Sequence, residues 1–132
     1  AQIDGSNLTV TIEVLPDTDL SDLSSTIVVS ENATISPGQS QSNFDFYNTV
    51  TFTVTAENGT SAEWNVIVLI EPTLEFVDVG GHSLEVASIG SGAQTIILEA
   101  GLVLKINEWN HDFIYTRLSK DYQVIAYNRA GY

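Results

Sequence analysis

Cysteine and methionine are both missing from this 132-residue sequence, and residues 1–72 contain no lysine or arginine. Without cysteine there are no disulfides and no thiolate nucleophile or metal ligand, and the redox compartment is left open. The lack of methionine, an initiator included, points to a cleaved or trimmed N-terminus. No apolar run approaches the roughly 20 residues that a spanning helix needs, and no charged-then-apolar leader opens the chain. The scarcity of positive charge leaves a formal net charge of −13. Such a surface repels phosphate backbones and anionic headgroups, so nucleic acid and membrane surfaces are poor partners, and no nucleic-acid partner is expected.

The charge that is present is unevenly placed. Ten carboxylates and no cation fall in residues 1–72, whereas Lys105, Arg117, Lys120 and Arg129 all lie in residues 73–132 beside seven carboxylates. Serine and threonine shift the same way, 19 before the boundary and seven after it. This break marks two modules, 1–72 and 73–132, with Glu71-Pro72-Thr73 as the linker.

In the first module, Leu8, Val10, Ile12 and Val14 alternate with Thr9, Thr11 and Glu13, the pattern of a half-buried antiparallel strand. Pro16 ends it, since proline cannot donate to a ladder. Thr26–Ser30 and Ala33–Ile35 read as short strands before the Pro37-Gly38 turn. Val50, Phe52 and Val54 then alternate with threonines, and Glu57-Asn58-Gly59-Thr60 turns the chain into Trp64–Val68. Parity decides the length of that turn. A two-residue loop would oppose Phe52 to Asn65 and bring polar groups onto the apolar face. A three-residue loop, with Gly59 in the left-handed position, pairs Phe52 with Trp64 and Val50 with Val66, and is the expected register.

Short strands at this spacing predict an all-β immunoglobulin-like sandwich. The segments Leu15-Pro-Asp-Thr-Asp-Leu-Ser-Asp-Leu, Ala33-Thr-Ile-Ser-Pro, Asp45-Phe and Val50-Thr-Phe-Thr-Val-Thr-Ala-Glu-Asn-Gly-Thr, closing on Trp64-Asn-Val, resemble the small immunoglobulin-like modules of bacterial surface lipoproteins and secreted proteins over about residues 2–70. The resemblance implies a spacer or adhesive role and an extracytoplasmic location.

In the second module, Phe76–Val79 and Leu84–Ile89 flank Gly80-Gly81-His82-Ser83 as a hairpin. The run Thr95-Ile96-Ile97-Leu98-Glu99-Ala100-Gly101-Leu102 lacks polar alternation and reads as a strand buried on both faces, as in a parallel sheet. Asn107 reads as the N-cap of a helix through Trp109, Phe113, Ile114 and Leu118 to Lys120, and Gln123–Tyr127 as a further strand, giving a βαβ crossover. Phe76-Val-Asp-Val-Gly-Gly-His-Ser-Leu-Glu-Val, Ile89-Gly-Ser-Gly, Ile96-Ile-Leu-Glu-Ala-Gly-Leu, Leu118-Ser-Lys-Asp-Tyr and Val124-Ile-Ala-Tyr-Asn-Arg resemble the start of an α/β-hydrolase over about residues 76–132. The expected fold is therefore mixed: a sandwich followed by an incomplete α/β segment.

That resemblance implies that the backbone N–H of Leu102 is an oxyanion-hole donor, with Gly101 shaping the loop, and that an intact parent is a serine hydrolase acting on an ester or amide substrate. The other reading of Gly101 is a glycine that simply ends a strand. No G-x-S-x-G occurs, so this chain has no catalytic nucleophile, acid or histidine and should not catalyse. His82 and His111 read as solvated or packing residues. Asp17, Asp19 and Asp22 lack the turn glycine and downstream glutamate of a calcium loop, so neither metal nor cofactor is expected. Asn7, Asn32 and Asn58 each head an Asn-x-Thr sequon. Phe44, Phe46, Tyr47 and Trp64 could form a sugar-stacking platform, although Phe52 and Trp64 suit a core. The competing function is a non-catalytic adhesion or carbohydrate-binding module. In either case an open edge at the Thr95 strand would favour homo-oligomers.

Overall fold

The computed structural model describes residues 1–38, 44–99, 106 and 114–129, and these contain nine strands and one helix. The chain divides into two compact units, Ala1–Glu13 with Asp19–Val68, and Val14–Thr18 with Leu69–Tyr132.

Five strands, β1 (Gln2–Asp4), β2 (Thr9–Val14), β3 (Thr34–Ser36), β4 (Val50–Thr55) and β5 (Ser61–Ile70), make a sheet in the order β1-β2-β5-β4-β3. Its centre is the β4–β5 hairpin, in the register that parity requires: Val50 opposes Val66 and Phe52 opposes Trp64. The Ala56 N–H donates to the Thr60 carbonyl, which leaves Glu57, Asn58 and Gly59 as the loop, and Gly59 takes φ 84°. A side chain with a Cβ is disfavoured in that conformation.

This register sorts chemistry onto two faces. On one, Phe52 is 1% exposed and meets the Phe44 ring edge-on, at 5.3 Å between centroids. On the other, Thr51 Oγ1 donates to Asn65 Oδ1, and the Thr55 and Ser61 hydroxyls bond each other at 2.8 Å. Such cross-strand pairs suit a wetted face.

Residues 1–72 were expected to form an immunoglobulin-like sandwich; among the described residues the strands of the first unit lie in this one sheet. The stretch opposite its apolar face follows a turn at Ser21-Asp22 and runs over Leu23–Ser30, with Leu23, Ser25, Ile27 and Val29 more covered than Ser24, Thr26, Val28 and Ser30. It meets the 44–46 segment through the Leu23–Phe44 bridge, and the Phe46 N–H donates to the Leu20 carbonyl just before it. The sequence pattern is that of a strand, and no ladder partner for 24–30 lies among the described residues. β1 was not anticipated as a strand. It pairs with β2 through a turn in which Asp4 Oδ1 accepts the Ser6 and Asn7 N–H groups. These bonds, with the Asn7 side-chain amide foremost, hold the Asp4 carboxyl below its ordinary range. Leu8, expected as the first strand residue, sits at φ 51° just before β2.

The second unit contains the sheet β6 (Thr73–Asp78), β7 (Ser83–Ile89), β9 (Gln123–Tyr127), β8 (Thr95–Glu99), in that spatial order. Its pairings are antiparallel except β8–β9, which is parallel. One face is covered over β7 and β9, where Ala87, Ile89, Val124 and Ala126 are buried together with Tyr115, Thr116 and Ser119 of the helix α1 (Ile114–Ser119), while Leu74 and Phe76 of β6 on the same face stay exposed. The Ile70 N–H donates to the buried Thr116 hydroxyl at 3.0 Å. Tyr115 donates its hydroxyl to the Ile106 carbonyl, and burial pushes the phenol up to about 12.

The mixed fold class with an α/β-hydrolase segment does not hold: the protein is nearly all β, with one six-residue helix among the described residues. The physical reason lies in the Thr95 run. It was read as buried on both faces, but β8 is an edge strand that alternates, with Ile96 and Leu98 half-buried and Ile97 66% exposed. An apolar run here reflects one covered face and one open one, not a sheet roofed by helices above and below. The proposed cap Asn107 and the helix start through Phe113 lie outside the described residues.

Two glycines hold the helix end in place. A Cβ on Gly90, which has φ 76°, would strike the Tyr122 carbonyl and the Ser119 backbone, and one on Gly92 would strike Asp121. Gly90→Ala should therefore lower stability by several kcal/mol in chemical denaturation, well beyond the roughly 1 kcal/mol of an ordinary surface change. A second expectation concerns pH. Unfolded tyrosine ionises near 10 whereas Tyr115 holds its proton to about 12, so its contribution is complete below pH 10 and disappears as pH rises through 12. Urea midpoints of wild type and Tyr115→Phe should thus differ at neutral pH, by about 1 kcal/mol for the lost hydrogen bond, and converge between pH 10 and 12.

Candidate functional site

The apolar face of the first sheet does not close on itself. Between that face and the Leu23–Ser30 stretch lies a cavity of about 630 Å³. Its floor is Val10, Ile35, Phe52, Val54, Ala62, Trp64 and Val66, all inward positions set by the strand registers. Ile27, Val28 and Val29 form the opposite wall, while Glu31, Glu57, Asn58 and Thr60 supply the polar rim. The rim carries two carboxylates, and no lysine or arginine exists in residues 1–72 to neutralise them. A cavity of this size lies within the range of ligand sites.

Beside it, the aromatic loop is split by burial. Phe46 is 4% exposed, stacks at a tilt on Phe44 with centroids 5.7 Å apart, and donates its backbone N–H to the Leu20 carbonyl at 2.8 Å. Phe44 also contacts Phe52, so both phenylalanines belong to the core. Tyr47 follows a tight turn in which its N–H donates to Asp45 Oδ1, and it is half-exposed, next to the exposed Asn48 and Thr49. Of the four aromatic residues considered for sugar stacking, Tyr47 and Trp64 thus keep accessible ring surface, Trp64 toward the cavity. The separation of Phe46 from Tyr47 follows from the contact of Phe46 with Leu20, 26 residues away, which spacing alone does not give. The cavity could not be read either, because it depends on how the Ile27–Val29 wall sits against the sheet.

The remaining candidates are scattered. Gly101 and Leu102, the oxyanion-loop pair, lie outside the described residues, as does His111. His82 is exposed at the tip of the β6–β7 hairpin, where the Val79 N–H reaches its carbonyl. Asp17 is exposed with φ 67°, and Asp19 accepts both the N–H and the hydroxyl of Ser21. Among the described residues no group of three His, Asp or Glu side chains could hold a metal. The sequon residue Asn58 accepts the Thr60 N–H, Asn7 donates to Asp4, and Asn32 is left-handed at φ 64°.

Asn128 is a residue whose role sequence reading missed. Its Oδ1 accepts the Ile106 N–H at 3.0 Å and its amide donates to Glu85 Oε2 at 2.7 Å, so it ties Ile106 to the centre of the second sheet. An aspartate there would face Glu85, which explains why the amide is suited to the position. Arg129 beside it pairs with Glu99 at 2.9 Å on the open surface, a contact worth at most about 1 kcal/mol.

Comparison with known proteins is informative for the first part of the chain. The family model described as "SGBP, N-terminal" matches residues 1–68. A solved chain described as a candidate glycoside hydrolase from Bacteroides thetaiotaomicron aligns at 25% identity and a TM-score of 0.44, over 59% of this chain and 25% of its own. The present chain therefore spans about a quarter of that protein's length. No curated protein matches. The expected hydrolase assignment has no support from these relationships, and an all-β fold with no α/β-hydrolase match overturns it. Among the described residues, no helix is long and apolar enough to cross a membrane.

Proposed function

The chain belongs to the SGBP N-terminal family, and from that premise we propose that it is a non-catalytic module of a surface glycan-binding protein, displayed outside the bacterial cytoplasm. The family match over residues 1–68 is the observation that carries this reading. It favours the carbohydrate-binding alternative over catalysis. Residues 1–72 act as the glycan-facing or glycan-spacing module, and 73–132 as a separate one.

The chemistry of the first unit supports a neutral sugar. A sugar ring presents C–H groups to an aromatic face and hydroxyls to amides and carboxylates around it. Tyr47, held by Asp45 and flanked by Asn48 and Thr49, offers that combination on the surface. Polyuronates and sulfated chains would meet ten carboxylates and no cation.

Affinity electrophoresis of the 132-residue protein in gels containing neutral or anionic polysaccharides tests the proposal. Retardation is expected with a neutral glycan and not with a polyuronate, and Tyr47→Ala should weaken it about tenfold, equivalent to about 1.4 kcal/mol. Migration unaffected by every polysaccharide would remove glycan binding from this module and leave it a spacer.

A further inference from the structure

The loop that sets the β4–β5 register also carries a reactive pair. Of the asparagines in the sequence, Asn58 alone precedes a glycine. When the main-chain nitrogen after an asparagine attacks that residue's Cγ, a succinimide ring closes, and a side chain on the following residue crowds the approach. Glycine has no Cβ to crowd it. Ala56, Glu57, Asn58, Gly59 and Thr60 are all exposed, and a Cβ built on Gly59 would meet nothing within 4 Å, so the pair is open to solvent.

The fold restrains this pair without burying it. The Gly59 N–H donates to the Ala56 carbonyl at 2.9 Å, and Asn58 Oδ1 accepts the Thr60 N–H at 3.0 Å. Beneath them the Ala56 N–H donates to the Thr60 carbonyl, and the Thr55 and Ser61 hydroxyls bond each other one step further along the strands. Nucleophile and electrophile are thus tied to different neighbours, and the ring closes only once those bonds let go. Loop tips open at a lower free energy than the centre of a sheet.

We infer that Asn58 is a self-modifying site armed by opening of the hairpin end, a property independent of glycan binding. In the open loop the Gly59 nitrogen bonds to Asn58 Cγ and gives its proton to solvent base, while the side-chain nitrogen takes up a proton and leaves as ammonia. A water molecule then opens the succinimide. Attack at Cγ gives aspartate; attack at the Asn58 main-chain carbonyl carbon gives isoaspartate, whose main chain runs through Cβ and Cγ. Water is consumed, ammonia is released, and nothing is oxidised or reduced. Isoaspartate lengthens the main chain of the loop whose length decides which side chains of β4 and β5 oppose each other. Either product adds a carboxylate beside Glu57, in a segment with no lysine or arginine to offset it.

The test incubates the 132-residue chain at neutral pH and physiological temperature, native or unfolded in guanidinium chloride. Peptide mass mapping and an isoaspartate-specific methyltransferase follow the products. Modification is expected first at Asn58, at least about tenfold more slowly in the native protein than in the unfolded one. Ser61→Ala removes the hydroxyl pair behind the loop and leaves Asn58 and Gly59 in place. It should raise the native rate about twofold or more with an unchanged circular dichroism spectrum. The purified isoaspartate form should exchange its Ala56 and Gly59 amides faster and unfold at lower urea. Asn58→Asp, with the same added charge on an unlengthened chain, should match wild type in both. No modification at Asn58, equal rates in the native and unfolded protein, a Ser61→Ala rate identical to wild type, or an isoaspartate form as stable as Asn58→Asp would each overturn the inference.

Discussion

The pairing of Phe52 with Trp64 is the constraint on which the first unit depends. Three loop residues between Ala56 and Thr60 set it, and a loop shorter by one would turn every inward side chain of one strand outward. Because the register holds, Phe52 meets Phe44, Phe44 meets Phe46, and Phe46 is pinned to Leu20. The Asp45–Thr49 turn that presents Tyr47 thus takes its position from a hairpin loop remote in sequence. The same register lays the cavity floor, since Val54, Ala62 and Val66 share the face of Phe52.

How much of this could be read in advance varied with the kind of signal. The β4–β5 hairpin was fully legible, because strict alternation and an Asn-Gly turn specify a face and a register together. The β6–β7 hairpin and the Thr95 and Gln123 strands were found as well, and β8 and β9 do pair. What failed was inference from apolarity to architecture. Ile96, Ile97 and Leu98 are equally greasy, yet Ile97 faces outward, and a sequence of three apolar residues cannot say whether the outer face has a roof. The helix expected from Asn107 to Lys120 is present as α1 over Ile114–Ser119, its earlier part lying outside the described residues, but the α/β-hydrolase resemblance built on it does not hold. Thr26–Ser30 is a different case: the alternation of covered and exposed residues is real, and no ladder partner for it lies among the described residues.

The candidate site was legible in part for the same reason. Aromatic residues near position 46 stood out, but which of them were core and which surface depended on Leu20, whose tertiary contact no spacing rule predicts. Asn128 gave no signal because its two partners, Ile106 and Glu85, lie 22 and 43 residues away. The second unit has a face covered around Tyr115 and an open one bearing Val77 and Ile97. Its edges carry Glu75, Asp78 and Glu99 beside these apolar groups, and charged residues at sheet edges discourage indiscriminate pairing.

The absence of cations from residues 1–72 also changes what acid does to the protein. Acid usually unfolds proteins by protonating carboxylates that are stabilised by ion pairs or hydrogen bonds in the native state. Here the carboxylates of the first 72 residues have no lysine or arginine within their own segment to lose. Several of them, Asp4, Asp19 and Asp45, instead hold turns by accepting backbone N–H groups. The acid-sensitive contacts inside this module are therefore those turns rather than lysine or arginine pairs.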